Sequence, residues 1–296
     1  MPTLNRRTIV AAIGTSLFAG PLRAQGRSAT PAGFTGAVLV NESGRIRIHT
    51  YLADLNGAMV TSHVIEGPGG LVVVDGQFVR AAALELKQYV DSLGKPVQRL
   101  IVSHQHPDHW YGIHHFRRMP VHAGPITAKF LAEGAAKFVA ERKADSSAPE
   151  IAGVLDQGIE TVAGVELRFR HVLDTEAPEI VTIEIPAVGA IIVQDVVYNK
   201  VHVVVSRQID NWIAVLKGIE ARGAQSPIIL AGHGEPASPA SLPGLVQYLE
   251  AVKPLLNANA GKPDRAKALT DEIATAFPDY RLPPLLTLGL SRSLQT

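Results

Sequence analysis

The sequence of 296 residues contains no cysteine. That excludes disulfides, thiolate nucleophiles, zinc ribbons and iron–sulfur clusters, so any metal ion must be held by His, Asp or Glu. Aromatic residues are scarce, at 5%, and charged residues make up 19% against 46% hydrophobic ones. This is the balance of a globular chain with a sizeable core, and it excludes a disordered or collagen-like protein. No apolar run approaches the ~20 residues of a membrane-spanning helix. No Gly-x-Ser-x-Gly elbow offers a nucleophilic serine, and no basic stripe marks a nucleic-acid surface. Histidine, by contrast, is present at 11 positions.

The first two dozen residues differ from the rest. Arg6-Arg7 precedes the apolar run Ile9 to Gly20, and Pro21-Leu22-Arg23-Ala24 follows. A basic segment, about a dozen apolar residues and a small residue before the cut form a secretory leader, and the arginine pair gives it the twin-arginine character. The expectation is a signal peptide over 1–24, a periplasmic or secreted product and no stable membrane insertion after cleavage. Removing Arg6, Arg7 and Arg23 takes the formal charge from +1 to −2.

Beyond the leader there is no internal repeat or long linker, so 25–296 reads as a single domain. Strands are expected at 36–41 and 44–50, joined near Gly44, then at 59–65 and 71–74, followed by a helix over 79–93 and a strand over 97–102. A helix at 125–142 follows, then strands at 165–173, 179–185 and 189–194. The remainder alternates: a helix at 210–221, a strand at 226–231, and helices at 239–257 and 263–276. Grouped strands with interspersed helices fit two sheets between helix layers, a mixed α/β (α+β) arrangement.

The residues that carry chemistry follow the apolar strand Leu100-Ile101-Val102, in Ser103-His104-Gln105-His106-Pro107-Asp108-His109. His104 and His106, two apart on extended chain, face one side. Asp108 and His109 fall on the turn opening the next helix and can face a second point nearby. Such a constellation can hold two metal ions a few ångströms apart.

The segment His104-x-His106-x-Asp108-His109-x-x-Gly112 resembles the signature of the metallo-β-lactamase fold superfamily. Leu71-Val72-Val73-Val74-Asp75-Gly76 resembles the strand-ending Asp element that precedes it, and Ala231-Gly232-His233-Gly234 resembles its last metal-binding histidine. The resemblance spans roughly 36–236 and implies a four-layer αββα sandwich with metals at one edge of the sheets.

The middle of the motif set departs from the family. Its third histidine ordinarily stands ten residues before a strand-ending proline and about nineteen before a bridging aspartate; here Glu176 stands ten before Pro186 and nineteen before Asp195. The Thr175-Glu176-Ala177-Pro178 element resembles the alkylsulfatase branch, whose members use Glu at this position. His171, on the strand leading into the same loop, is the competing third donor. The resemblance thus implies His104, His106 and Glu176 on one metal, Asp108, His109 and His233 on the second, and Asp195 between them. Two divalent ions are expected, zinc first, with iron or manganese as alternatives because a carboxylate hardens the site.

The function implied is an exported dinuclear metal-dependent hydrolase of small molecules. A metal-bound hydroxide, oriented by Asp108, attacks an ester-type bond: a carboxylic ester, lactone or sulfate ester. His202, seven residues after Asp195, is a candidate leaving-group acid. Competing readings are a β-lactam hydrolase, an iron-dependent oxidoreductase on the same cage, and a metal-binding module without turnover.

Overall fold

The computed structural model describes residues 26–142 and 147–295, so the expected leader lies outside the described residues. The first sheet opens with β1 (Arg27–Ser28), β2 (Ala37–Ser43), β3 (Ile46–Leu52), β4 (Thr61–Gly67) and β5 (Gly70–Val74), an antiparallel meander. The expected hairpin closes across Gly44, whose φ of +58° lies where glycine has no steric penalty. Helix α1 (Arg80–Ser92) then carries the chain across to β6 (Val97–Val102), which pairs parallel to β5; β7 (Val121–Ala123) and β8 (Ile151–Val154) extend the sheet in parallel.

The second sheet has the order β13-β12-β11-β10-β9. Strands β9 (Gly158–Val162), β10 (Val165–Leu173), β11 (Glu179–Ile185) and β12 (Ala190–Tyr198) run antiparallel, and β13 (Ile228–His233) joins β12 in parallel.

Period-two alternation along these strands builds the layers. Val72, Val74 and Ile101 point into the core between the sheets, against Val165, Phe169, Val181 and Leu230. Their neighbours Leu71, Val73 and Leu100 point the other way, onto Leu86, Trp110 and Leu131 of the first helix layer. On the far side Ile191 and Val193 meet the second helix layer: α5 (Ile209–Ala221), α6 (Leu242–Ala258), α7 (Ala266–Ala276) and α8 (Pro283–Ser293). The order is helix, sheet, sheet, helix, as expected for the αββα sandwich. Truncating a side chain such as Ile101, fully buried between the sheets, costs about 2–5 kcal/mol.

Several boundaries differ from the sequence reading. The helix expected over 125–142 is two, α3 (Pro125–Glu133) and α4 (Ala135–Glu141), broken at Gly134. Strand β8 and the start of β9 fall between 147 and 158, where the sequence reading assigns no element, and β12 continues to Tyr198. Beyond the helix expected over 263–276, the sequence reading assigns no further element; the chain continues into α8, whose first turn has the fixed φ of Pro283 and Pro284.

Candidate metal centre

The parallel strands β5 and β6 end side by side and deliver the first groups. Asp75 continues the pairing, its N–H donating to Ile101 O at 2.8 Å, with its backbone turned to φ +63°. His104 and His106 follow β6 in extended chain, and Pro107 opens the short helix α2 (Pro107–Trp110) that carries Asp108 and His109. Close approach fixes this turn: a Cβ at Gly112 would lie 2.3 Å from Gly76 O.

The second sheet brings the other donors to the same edge. Glu176 sits in the turn between β10 and β11, Asp195 within β12, and His233 ends β13. A Cβ at Gly232 would fall 1.9 Å from Asp195 Oδ1, so only glycine leaves room for that carboxylate.

These side chains converge in two groups of closely spaced donor atoms: His104, His106, Glu176 and Asp195, and Asp108, His109 and His233. His106 Nδ1 lies 3.1 Å from Glu176 Oε1, and His104 Nε2 lies 3.9 Å from Glu176 Oε2. In the second group His233 Nε2 is 3.3 Å from Asp108 Oδ2, and His109 Nε2 is 3.7 Å from the same oxygen. Asp195 faces both groups, with Oδ2 3.6 Å from His104 Nε2 and 3.5 Å from His233 Nε2, and Oδ1 3.1 Å from His109 Nε2. The side chains of His106 and Asp108 are 19% and 23% exposed and the other five are sealed, so the cluster opens to solvent past these two.

Hydrogen bonds on the far side of each ring fix which nitrogen faces inward. Asp75 Oδ2 lies 2.7 Å from His109 Nδ1, Ala58 O lies 2.8 Å from His233 Nδ1, and Ser103 Oγ lies 2.9 Å from His104 Nδ1. The Ser103 hydroxyl donates to Asp75 Oδ2 at 2.7 Å, so it accepts from His104. All three rings therefore keep a proton on Nδ1 and turn Nε2 toward the cluster, the nitrogen left to bind a cation. Asp75 also completes a three-residue group with His104 and His109. Its oxygens, however, already accept from the Ser103 N–H, the Ser103 hydroxyl, the Gln194 amide and His109, which makes it a support for the ligands.

The inward atoms have no hydrogen-bond partner: His104 Nε2, His109 Nε2, His233 Nε2, Glu176 Oε2 and Asp195 Oδ1 are buried and unsatisfied. Each such atom costs about 1–3 kcal/mol, and five aimed at one small volume fit divalent cations. The electrostatics agree. Burial opposes charge on His109, yet Asp195, Asp108 and Asp75 hold its pKa well above the ordinary range. Burial likewise works against His233, but Asp195 and Asp108 push it up to about 10. Burial would raise Asp195, and the facing imidazoles of His109 and His233 instead hold it well below the usual carboxylate range. Protons held this way are what a cation displaces.

Backbone strain concentrates here. Ala58 and Met59, consecutive at φ +57° and +52°, present the carbonyl to His233; Asp174 at +49° opens the Glu176 turn; Gln194 at +45° precedes Asp195. Left-handed backbone costs a non-glycine residue about 1 kcal/mol or more, and it recurs beside the donors.

The structure brings together all seven residues expected as ligands and leaves the other candidates out. His171 faces Glu179, with Nδ1 3.4 Å from Oε1, and joins neither donor group. His202 is fully buried, with Nδ1 2.9 Å from Tyr248 Oη and its ring against Tyr280. That position seats it in the packing of the C-terminal helices and does not support the leaving-group role expected for it. Trp110 is buried and donates to Gln105 O, bolting the histidine loop to the helix layer.

Sequence reasoning missed Tyr198. Its hydroxyl donates to Asp195 Oδ2 at 2.7 Å and lies 3.5 Å from Glu176 Oε1. On a regular strand residues 195 and 198 face opposite sides, but the register of β12 against β13 shifts between Gln194 and Tyr198. That irregularity returns the phenol to the carboxylate.

The sequence profile of the metallo-beta-lactamase superfamily matches residues 55–234. The chain belongs to this superfamily. Among solved structures, the metallo-beta-lactamase from Pontibacter korlensis is similar at 17% identity, with a TM-score of 0.56 over 72% of this chain and 99% of that one. The stereoselective inverting sec-alkylsulfatase Pisa1 from Pseudomonas sp. is similar at 19% identity, with a TM-score of 0.55 over 83% of this chain and 48% of that one. Metallo-beta-lactamase IND-7 is similar at 13% identity, with a TM-score of 0.56 over 72% of this chain and 98% of that one. At these identities the likeness is one of fold. No curated protein sequence matches the chain. As a metallo-beta-lactamase superfamily member the protein is an enzyme of the hydrolase type, and its clustered donors suit divalent metal ions.

Proposed function

We propose that the protein is an exported dinuclear metallohydrolase that cleaves ester-type bonds of small molecules, sulfate esters and carboxylic esters or lactones foremost. The observation that carries this reading is the placement of Asp195 between two three-residue donor groups, each with buried inward donor atoms that have no hydrogen-bond partner. His104, His106 and Glu176 would hold one ion and Asp108, His109 and His233 the other, with Asp195 shared. When bound, two divalent ions supply Lewis-acid polarisation and acidify water to near neutrality. Asp108, on the open side, would orient the attacking water.

The choice of ester rests on Glu176. A carboxylate where the superfamily ordinarily has imidazole resembles the alkylsulfatase branch, and the likeness to Pisa1 agrees with it. Export is read from the leader sequence, and zinc is the expected metal.

Elemental analysis of the tag-free exported protein, with an absorbance spectrum of the same sample, tests the reading. About two zinc per chain without visible absorption, followed by turnover of sulfate esters or lactones, is the expected result. Turnover of β-lactams alone would move the substrate. Iron with a coloured spectrum would favour oxidoreductase chemistry, and no tightly held metal would overturn the proposal.

A further inference from the structure

Strand β12 is followed by an irregular strap, residues 199–208, gripped from two sides. On one side it holds the turn that presents Glu176: Ser206 Oγ donates to Thr175 O at 2.5 Å. Asn211, just beyond the strap, donates to Leu173 O and Asp174 O at 2.8 Å each. The turn's own bonds are longer, with Asp174 N to Pro178 O and Thr175 N to Ala177 O both at 3.2 Å. Its conformation therefore leans on the strap.

On the other side the strap is held by the C-terminal segment. Arg281 N donates to Lys200 O and His202 N to Arg281 O, both at 2.9 Å. Ser293 Oγ donates to Val205 O at 2.9 Å, and Arg207 Nε donates to Ser293 O at 2.8 Å. Between these bonds Gly289 of α8 lies flat on the strap: a Cβ there would come within 2.2 Å of Val205 N. Val201, Val203 and Val205 share one core with Leu286, Leu290 and Leu294. Helix α8 lies outside the residues 55–234 that match the superfamily profile.

We propose that helix α8 positions Glu176 for metal binding through the 199–208 strap, with Gly289 and Ser206 as the positioning residues. The chain of contact is Gly289 to Val205, Ser206 to Thr175 O, and thence to the adjoining Glu176. A metal site needs its donors placed to within about 0.5 Å, so a strap displaced at Val205 by one methyl group shifts Glu176 relative to His106, whereas the strap's contact with the second donor group, Asn199 N to His233 O at 2.9 Å, lies at its far end. The inference rests on the metal centre proposed above.

The test compares the full-length parent chain with Gly289→Ala and Ser206→Ala. Each is loaded with zinc, dialysed and analysed for metal equivalents, with circular dichroism and thermal unfolding on the same samples. The expected result is a folded variant that retains about one equivalent less than the parent and needs about 10- to 100-fold more free zinc to refill it, the range for lost outer support of a metal ligand. Ser206→Thr, which restores a hydroxyl, recovers the parent value. If the variants keep the parent's metal and affinity while only their melting temperatures fall, α8 merely stabilises the fold and the inference is overturned. Should Gly289→Ala fail to fold, Ser206→Ala decides, since it removes one hydroxyl and leaves the core intact. A parent chain that binds no zinc would overturn the metal centre itself, a failure read before any variant is compared.

Discussion

The phenol ring of Tyr198 lies parallel to the imidazole of His233, with centroids 4.6 Å apart and planes within 5°. The same ring donates its hydroxyl to Asp195, so one side chain braces the donor that ends β13 and the donor that faces both groups. Tyr198→Phe keeps the stack and loses the hydrogen bond. A bond to a charged acceptor contributes about 1.5–3 kcal/mol, so zinc affinity, measured by chelator competition, should fall at least about tenfold with the fold retained. An unchanged affinity would leave Tyr198 a packing residue.

Glu176→Ala and His171→Ala separate the two candidates for the third donor. Glu176 faces His106 and His104, whereas His171 faces Glu179. Elemental analysis should show Glu176→Ala losing one metal equivalent, with kcat/KM down by about 100-fold or more. His171→Ala should keep the full complement. The reverse pattern would overturn the assignment.

Asp75 fixes the tautomer of His109 and orders Ser103, which in turn fixes His104. Asp75→Asn replaces an acceptor with a donor facing other donors. Metal affinity should drop about 10- to 100-fold, the range for such outer partners. Retention of parent affinity would show that the histidines hold their orientation unaided.

Stability should fall with acid through His63. Burial pushes this ring down to about 4 from an ordinary 6.5, and it sits within hydrogen-bonding distance of Thr50 and Gln194. The unfolded chain takes up the proton near 6.5 and the folded chain only near 4. The stability involved is present above 6.5 and is lost as pH falls through that window. Urea unfolding should show a loss of about 2 kcal/mol from this residue between pH 7 and pH 5. His63→Gln should flatten that slope; an equal slope in parent and variant would remove His63 as the cause.

Much of this is legible in the sequence. The His104 to His109 run stands out because extended chain and a helix start divide its donors between two points. Glu176 follows from the resemblance to the superfamily, whose third donor stands at the same distance from its strand-ending proline and its bridging aspartate as Glu176 does from Pro186 and Asp195. What escaped was set by departures from regular geometry. Tyr198 reaches Asp195 only through the irregularity in β12, and a strict two-residue period assigns it to the other face. His202 looked available because a sequence does not show that Tyr248, 46 residues away, takes its ring. Strand β8 is short and half-exposed, leaving little pattern to read, and Gly134 divides a helix that apolar spacing alone joins.

The donors belong to two sheets: His104, His106, Asp108 and His109 follow the first, and Glu176, Asp195 and His233 come from the second. A chain leaving the ribosome thus displays four of them long before the pocket can close. Until β13 pairs with β12, His233 is absent and the Asp195 carboxylate lacks the Gly232 backbone against which it is seated. Domains fold as units once their last strand is available, so on this architecture tight metal uptake becomes a property of the finished molecule, and the bound cation would report that synthesis and folding are complete.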